Sequence, residues 1–333
     1  MLHFRTAIGL VAACVLAACS EARPFGVDGN SGDGSRTDAN VNNGDGTSSG
    51  DGGDTGNTTQ DVPPIPIDGG GDGCSDAARL VYVLSDANDL YSFRPDRRQF
   101  TLIGRLNCPT AFSPNSMAID RSAVAWVNYV QSDGFGDSAG LVFRVSTADA
   151  HCTSDPPFSL PDGWFRLGMG FSTDSVEGAD ETLYVTGTGG LFSSSPGLGS
   201  IDRMTTILTP IGQFSGSLRG ESAELTGTGD GRLFGFFTTT PVQVARIDKV
   251  TAAISMAQSL SQVETPSAWA FSFWGGDFYL YTAPDPLTDP SRTSNVTRYR
   301  PSDGSVDPVY MENVGFRIVG AGVSTCAPIL PPG

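Results

Sequence analysis

Short runs of alternating apolar and polar residues recur from residue 74 to the end of the chain, separated by Gly, Pro, Asp and Ser. A period of two is typical of a β-strand with one buried face. One set of runs carries a central aromatic residue, at spacings of 44, 58, 50 and 45 residues: Tyr82, Trp126, Tyr184, Phe234 and Tyr279. No stretch shows the 3.6-residue period of a helix. The pattern predicts an all-β domain built from five repeats.

Two further sets of runs flank the aromatic set. One follows it, at "LYSFRPD", "VFRVSTA", "LGSIDRM", "VARIDKV" and "VTRYRPS". The other includes "SMAID", "GMGFS", "ELTGT", "AFSFW" and "VGAGV". The third position of this last set is small in every repeat: Ala118, Gly170, Thr226, Ser272 and Ala321. Small side chains are what five strands crowded around one axis would require.

A period of about 50 residues with four short strands per unit resembles a β-propeller of the NHL or WD-repeat type. The resemblance implies five blades over residues 74–328, with a tail at 329–333. Each blade has strands A to D counted outward from the axis, and the run at 319–323 closes the ring as the A strand of blade one. The alternative is a two-sheet all-β sandwich assembly. Blade two should contain strands at Ser116–Asp120, Val124–Tyr129, Leu141–Thr147 and Cys152–Leu160.

The first 18 residues have the pattern of an export signal. Arg5 is followed by an almost unbroken apolar run, too short for a permanent membrane span. The run ends in Leu16-Ala17-Ala18-Cys19, which resembles the lipobox of bacterial lipoproteins. That resemblance implies cleavage after Ala18 and a diacylglycerol on Cys19, so that membrane lipid is a partner. Ser20 favours the outer membrane of a Gram-negative bacterium; the alternative is an ordinary secretory signal with a chance cysteine.

Residues 19–73 consist largely of Gly, Asp, Asn, Ser, Thr and Pro. Almost no apolar side chains are present to offset the entropy of ordering, so this segment is predicted to be a disordered tether. A calcium loop is the alternative, because Asp38, Asn40 and Asn42 have EF-hand spacing. The pattern fails where the geometry is strictest, with Asn43 in place of Gly and Ser49 in place of Glu.

Charge and histidine content narrow the possible functions. The formal net charge is −16, and residues 74–333 carry 26 acidic against 17 basic side chains without a basic patch. Nucleic-acid binding requires clustered cations, so we expect none. His151 is the only histidine after the signal segment, and no Cys or His pair has metal-ligand spacing. Neither a metal nor a cofactor is predicted.

The cysteines of an exported chain are expected to form disulfides. Cys14 lies inside the apolar run and Cys19 is the lipidation site, which leaves four cysteines and three possible pairings. The propeller arrangement selects one of these. It places Cys326 and Cys74 together where the ring closes, and it pairs Cys108 with Cys152 between blades one and two.

Three motifs suggest catalysis at first inspection. Gly136–Gly140 matches a nucleophile elbow around Ser138, but it lies in a predicted B–C loop and lacks a distant downstream histidine. Gly227–Gly231 is better interpreted as an A–B turn than as a phosphate loop. A glycoside hydrolase or lyase acting through axial carboxylates is the enzymatic alternative. Its candidates, Asp120 and Glu224, should lie about 13 Å apart along the axis, farther than such pairs require.

A non-catalytic binding or scaffold protein is therefore the predicted function, with an unknown protein or glycan as ligand and a monomeric state. In a propeller the B–C and D–A loops share one face, and long B–C loops are predicted at Val130–Ala139, Gly187–Gly197 and Thr282–Asn295. The tether enters at Cys74 on the opposite face, so the long-loop face should point away from the membrane, where loops on a rigid scaffold commonly bind partners. The predicted ligand residues at the mouth of the axial channel are Trp164, Trp269 and Glu224. Alternatively, both tryptophans pack the bases of their loops.

Overall fold

The structure is a computed structural model, and it describes residues 73–133, 136–153, 156–176, 178–189 and 193–331. Within these residues five four-stranded antiparallel sheets form the blades of a β-propeller. The signal segment, Cys19 and residues 19–72 of the tether, including the calcium-loop pattern, lie outside the described residues. No helix of the described chain is long and apolar enough to cross a bilayer.

The strands are β1 to β20 in chain order, and equivalent strands of the five blades share burial and position. The A strands are β20 (Ile318–Val323), β4 (Ser113–Ile119), β8 (Leu167–Thr173), β12 (Ala223–Gly227) and β16 (Ala268–Trp274). The B strands are β1 (Val81–Ser85), β5 (Val124–Ser132), β9 (Glu181–Gly187), β13 (Leu233–Phe237) and β17 (Asp277–Ala283). The C strands are β2 (Asp89–Arg94), β6 (Asp137–Ser146), β10 (Gly197–Ile201), β14 (Gln243–Ile247) and β18 (Asn295–Arg300). The D strands are β3 (Gln99–Arg105), β7 (Phe158–Ser159), β11 (Leu208–Gly212), β15 (Ile254–Ser259) and β19 (Ser305–Met311).

Blade one confirms the predicted closure of the ring. The last strand, β20, pairs antiparallel with the first, β1, and places Val323 opposite Val81. The five-bladed prediction is therefore confirmed. Around the axis the A strands approach so closely that a Cβ on Gly168 of β8 would lie 2.0 Å from the carbonyl oxygen of Ala223 in β12. Glycine is required there for a steric reason, and the neighbouring column of small residues is likewise buried.

Five large apolar clusters, each lying between two neighbouring blades, form most of the hydrophobic core of the described residues. The central aromatic residue of each B strand belongs to the cluster shared with the next blade. Thus Tyr82 packs between blades one and two, and Trp126 packs between blades two and three. Tyr279 of blade five returns to the interface with blade one. The repeat in the sequence is therefore a repeat of blade-to-blade contacts.

Blade two departs from the prediction at two places. The expected loop Val130–Ala139 is largely strand, because β5 and β6 stay paired as far as Ser132 and Asp137. The expected D strand Cys152–Leu160 is reduced to Phe158–Ser159 and one isolated bridge from Cys152 to Val145. Pro156 and Pro157 lie just before β7, and a proline has no backbone N–H to donate to a ladder. The face formed by the A–B and C–D loops is called the short-loop face. Because β7 is so short, this face carries one long C–D connection, at 147–157.

Candidate functional site

The B–C and D–A loops form the long-loop face, where the three predicted ligand residues were expected. Trp164 lies in the D–A loop before β8 and is only 6% exposed. Its ring packs against Gly199 of β10, where an added Cβ would lie 3.0 Å from the indole. The expected position of Trp164 at a channel mouth is therefore wrong, because the side chain fills the interface between blades two and three.

Trp269 is the second residue of β16 and is paired with Thr282 of β17. It is partly buried against the apolar cluster between blades four and five. Of the two predicted tryptophans, Trp269 is thus the one near a cavity, since Thr282 lines the cavity described below.

Glu224 lies on the axis and is 4% exposed. Its Oε2 accepts a hydrogen bond of 2.9 Å from Ser116 Oγ, so the side chain of blade four reaches across to blade two. Burial raises the pKa of Glu224 well above its ordinary value, against the opposing effects of Ser116, the Met169 backbone N–H and the charge of Arg166. The carboxyl closes this end of the axis, and it does not line an open mouth.

Arg166 organises the surface above Glu224, and sequence reasoning missed it. Its guanidinium donates to both carboxylate oxygens of Asp137, at 2.8 and 2.9 Å, and to Asn115 Oδ1 at 2.7 Å. Burial alone would raise the pKa of Asp137, but the hydrogen bonds from Arg166 and Ser132 lower it below its usual value. Asp137 and Ser132 are the paired residues at the end of the β5–β6 hairpin, so Arg166 binds where the expected loop is replaced by strand. A lone arginine two positions after Trp164 was the available signal.

A cavity of about 550 Å³ opens on the long-loop face between residues 262–267 and the B–C loop of blade five. Its lining contains Glu264, Asp285 and Glu312 against one cation, Arg292, a formal charge of −2. Arg292 pairs with Glu264 at 3.3 Å. Hydroxyl and amide groups supply much of the remaining wall, from Thr265, Ser267, Thr282, Thr288, Asn295 and Thr297. The cavity is suited to a polar ligand that donates hydrogen bonds or carries positive charge.

The two axial carboxylates of the enzymatic alternative lie at opposite ends of the axis. Glu224 is level with Ser116, and Asp120 follows four residues after Ser116, about 13 Å farther along an extended chain. Asp120 accepts hydrogen bonds from the backbone N–H groups of Ser122 and Val124 and from the indole of Trp126. These contacts assign Asp120 to the A–B turn. Carboxylates that act as a pair on a glycosidic bond lie within about 10 Å.

The other end of the axis is closed by a polar cluster around Glu181. Thr325 Oγ1 donates to Glu181 Oε2 at 2.8 Å, which links blade one to blade three. Glu181 Oε1 accepts from the Arg121 N–H at 2.9 Å and from Arg203 at 3.2 Å. Burial raises the pKa of Glu181 despite these partners. Every oxygen of this carboxylate is satisfied, so the cluster has the character of a structural contact.

Both predicted cysteine pairs are bonded in the structure. Cys74 joins Cys326 with a Cα–Cα distance of 5.8 Å, beside the closing strands. Cys108 joins Cys152 with a Cα–Cα distance of 5.1 Å. Ser138 lies on strand β6 and donates to the carbonyl of Gln131, while His151 contacts Asn107. Among the described residues, no group of His, Cys, Asp and Glu is arranged to hold a metal ion.

Replacing Glu224 with glutamine is expected to raise the free energy of unfolding at about pH 7.5 by about 1–3 kcal/mol. The pKa of Glu224 is higher in the folded than in the unfolded chain, so the contribution of this group is fully present below the ordinary glutamate pKa and is lost as pH rises toward the folded value. The gain should therefore shrink toward about pH 4, as urea titrations at both pH values would measure. Exposed Glu221, replaced in the same way, is the control. An equal loss of stability at both pH values would contradict the assignment.

No protein-family model matches the chain, and no curated protein is similar to it in sequence. Among solved structures, a protein of unknown function from Bacteroides caccae has a TM-score of 0.38 and 12% identity over 73% of this chain and 97% of that one. The structure of the Dos1 propeller has a TM-score of 0.37 and 10% identity over 67% of this chain. The match covers 53% of that second chain. These values are low, and the fold assignment rests on the five sheets themselves.

Proposed function

We propose that this protein is an exported lipoprotein, anchored through a diacylglycerol on Cys19, whose propeller is a non-catalytic binding or scaffold module. The ligand site is the cavity on the long-loop face, whose wall includes Thr282, the strand partner of Trp269. The observation that carries the proposal is the position of this cavity, among the longest loops and at the opposite end of the strands from Cys74.

The orientation follows from the closing disulfide. Cys326 comes three residues after the end of β20, on the short-loop face, and it holds Cys74 there. A tether that precedes Cys74 therefore leaves the domain from the short-loop face. With the lipid in the membrane, the long-loop face is the one that meets partners.

The chemistry of the cavity favours a hydroxyl-rich or cationic ligand, such as a glycan or a basic segment of a protein. Its lining of carboxylates, amides and hydroxyls offers many hydrogen-bond acceptors and a net negative charge. A few convergent polar groups in a cavity favour ligands that satisfy their hydrogen bonds.

Site-specific photocrosslinking in living cells tests which face binds. A benzophenone amino acid at Leu287, in the B–C loop of blade five, is expected to give a covalent adduct with the partner. The same residue at Met204, in a C–D loop of the short-loop face, should give none. The two side chains are 91% and 93% exposed, so they form a matched pair. An adduct at Met204 without one at Leu287 would place the binding surface on the wrong face for this proposal.

A further inference from the structure

A second cavity, of about 510 Å³, opens on the short-loop face. It lies between blades four and five, at the opposite end of the apolar cluster that the first cavity adjoins. Its walls include the tight A–B turn at Gly275 and Gly276, and the chain at 329–331. The Gly275 N–H donates to the carbonyl of Pro328 at 2.7 Å, which holds this tail against the turn. Residues 329–331 of the predicted tail are thus part of the domain surface.

The floor of the second cavity is aromatic. Phe278 contacts Phe234 with ring centroids 4.8 Å apart and Phe273 with centroids 5.3 Å apart. Around this floor, Met256 and Leu330 are 78% and 62% exposed. Covering this exposed apolar surface with an apolar ligand would remove it from water, which favours binding.

The rim of the cavity is cationic. Arg232, Arg246 and Arg300 line it against one acidic residue, Asp277, a formal charge of +2. Asp277 is paired with Arg298, whose Nε donates to Oδ2 at 2.6 Å. Arg300 pairs with Asp303 at 3.4 Å and lies 3.9 Å from Asp277. Arg232 pairs with Asp230 at 2.7 Å and lies 5.6 Å from the centre of the Phe234 ring.

Arg246 is the rim cation most available to a ligand. Its side chain is exposed, and it makes no salt bridge within the described part of the chain. It lies opposite Phe234 in the sheet of blade four, so its guanidinium borders the aromatic floor. In a chain of net charge −16, such a cationic rim over an apolar floor is suited to an anion with an apolar part.

We propose that this cavity binds an anion with an apolar body, in particular an alkyl or aryl carboxylate. The apolar part would cover the phenylalanine floor together with Met256 and Leu330, and the carboxylate would accept hydrogen bonds from Arg246 and Arg300. A planar guanidinium group suits a carboxylate because two of its N–H groups can donate to the two carboxylate oxygens. This site is independent of the polar cavity proposed as the ligand site of the long-loop face.

The test uses full-length protein carrying Cys19→Ala, so that no attached acyl chain competes. Fluorescence of 8-anilinonaphthalene-1-sulfonate reports occupation of the cavity, and laurate is titrated as a competitor. Laurate is expected to displace the dye, and Arg246→Glu should weaken laurate binding about tenfold or more. Arg219→Glu is the matched control, because Arg219 is an exposed arginine on the long-loop face and the two variants have the same net charge. Its affinity for laurate should equal that of the parent protein.

Three results would overturn the proposal. One is laurate affinity in Arg246→Glu equal to that in Arg219→Glu. Another is displacement by dodecanol, the uncharged analogue, as effective as displacement by laurate, since recognition would then not involve the arginines. The third is failure of the parent protein to bind either the dye or laurate. Thermal unfolding of both variants checks that the fold is intact, and Arg246→Gln replaces Arg246→Glu if the charge reversal does not fold.

Discussion

Replacing Cys74 and Cys326 with serine is expected to lower the midpoint of thermal unfolding by roughly 10–20 °C. The disulfide joins residues separated by 252 positions, so it constrains nearly the whole propeller in the unfolded state. Chain-entropy arguments assign such a crosslink about 5 kcal/mol. Calorimetry of the oxidised double variant against the parent protein measures the effect. Reductant should lower the midpoint of the parent protein. It should lower the midpoint of the variant less, because the variant has only the Cys108–Cys152 disulfide to lose.

The strands that lose protection show whether the Cys74–Cys326 disulfide acts by closing the ring or only by crosslinking the unfolded chain. Cys108→Ser with Cys152→Ser is the control, since this disulfide closes a span of 44 residues within blades one and two. Hydrogen exchange should accelerate at β1 and β20 in the Cys74 and Cys326 variant, while the control keeps these strands protected. Equal protection of β1 and β20 in the two variants would show that the first disulfide does not hold the ring closed.

Cys19→Ala is expected to move the protein from the membrane pellet to the soluble fraction almost completely. Two or three acyl chains anchor a protein stably, and loss of Cys19 removes the attachment point for the diacylglycerol. Fractionation of cells with an alkaline wash of the membranes, followed by immunoblotting, measures the distribution. Cys14→Ala is the matched control, because Cys14 lies within the apolar run and should leave anchoring unchanged. Cys19→Ala protein that still pellets after the wash would refute lipid anchoring through this residue.

The number of blades could be predicted because the residues that carry the signal face neighbouring blades. Tyr82, Trp126 and Tyr279 each fill a blade interface, so the geometry that repeats in space also repeats in sequence. The disulfide partners could be selected for the same reason, since the strand order alone brings Cys74 to Cys326. Where blade geometry constrains a residue, the pattern along the chain is informative.

The candidate site was less predictable, because it depends on side chains that meet from distant loops. Trp164 was placed at a channel mouth by its position in a D–A loop, but the absence of a side chain at Gly199 leaves room for its ring inside an interface. Arg166 pairs with Asp137 in the hairpin of blade two, and the only sequence signal for this pair is the arginine two positions after Trp164. Both cavities arise between blades four and five from loops and strand ends whose relative positions only the folded ring defines.

The pairing of β20 with β1 joins the last strand of the propeller to the first. A chain made from its N-terminus presents β1 early, whereas its inner neighbour β20 follows more than 230 residues later. Until β20 arrives, one edge of β1 is an unpaired strand edge of five residues with buried character, Val81–Ser85. A chain shortened by proteolysis or by a premature stop before Ile318 would keep that edge open permanently. A truncated chain would therefore expose the edge of its first strand, which could pair with another chain and aggregate.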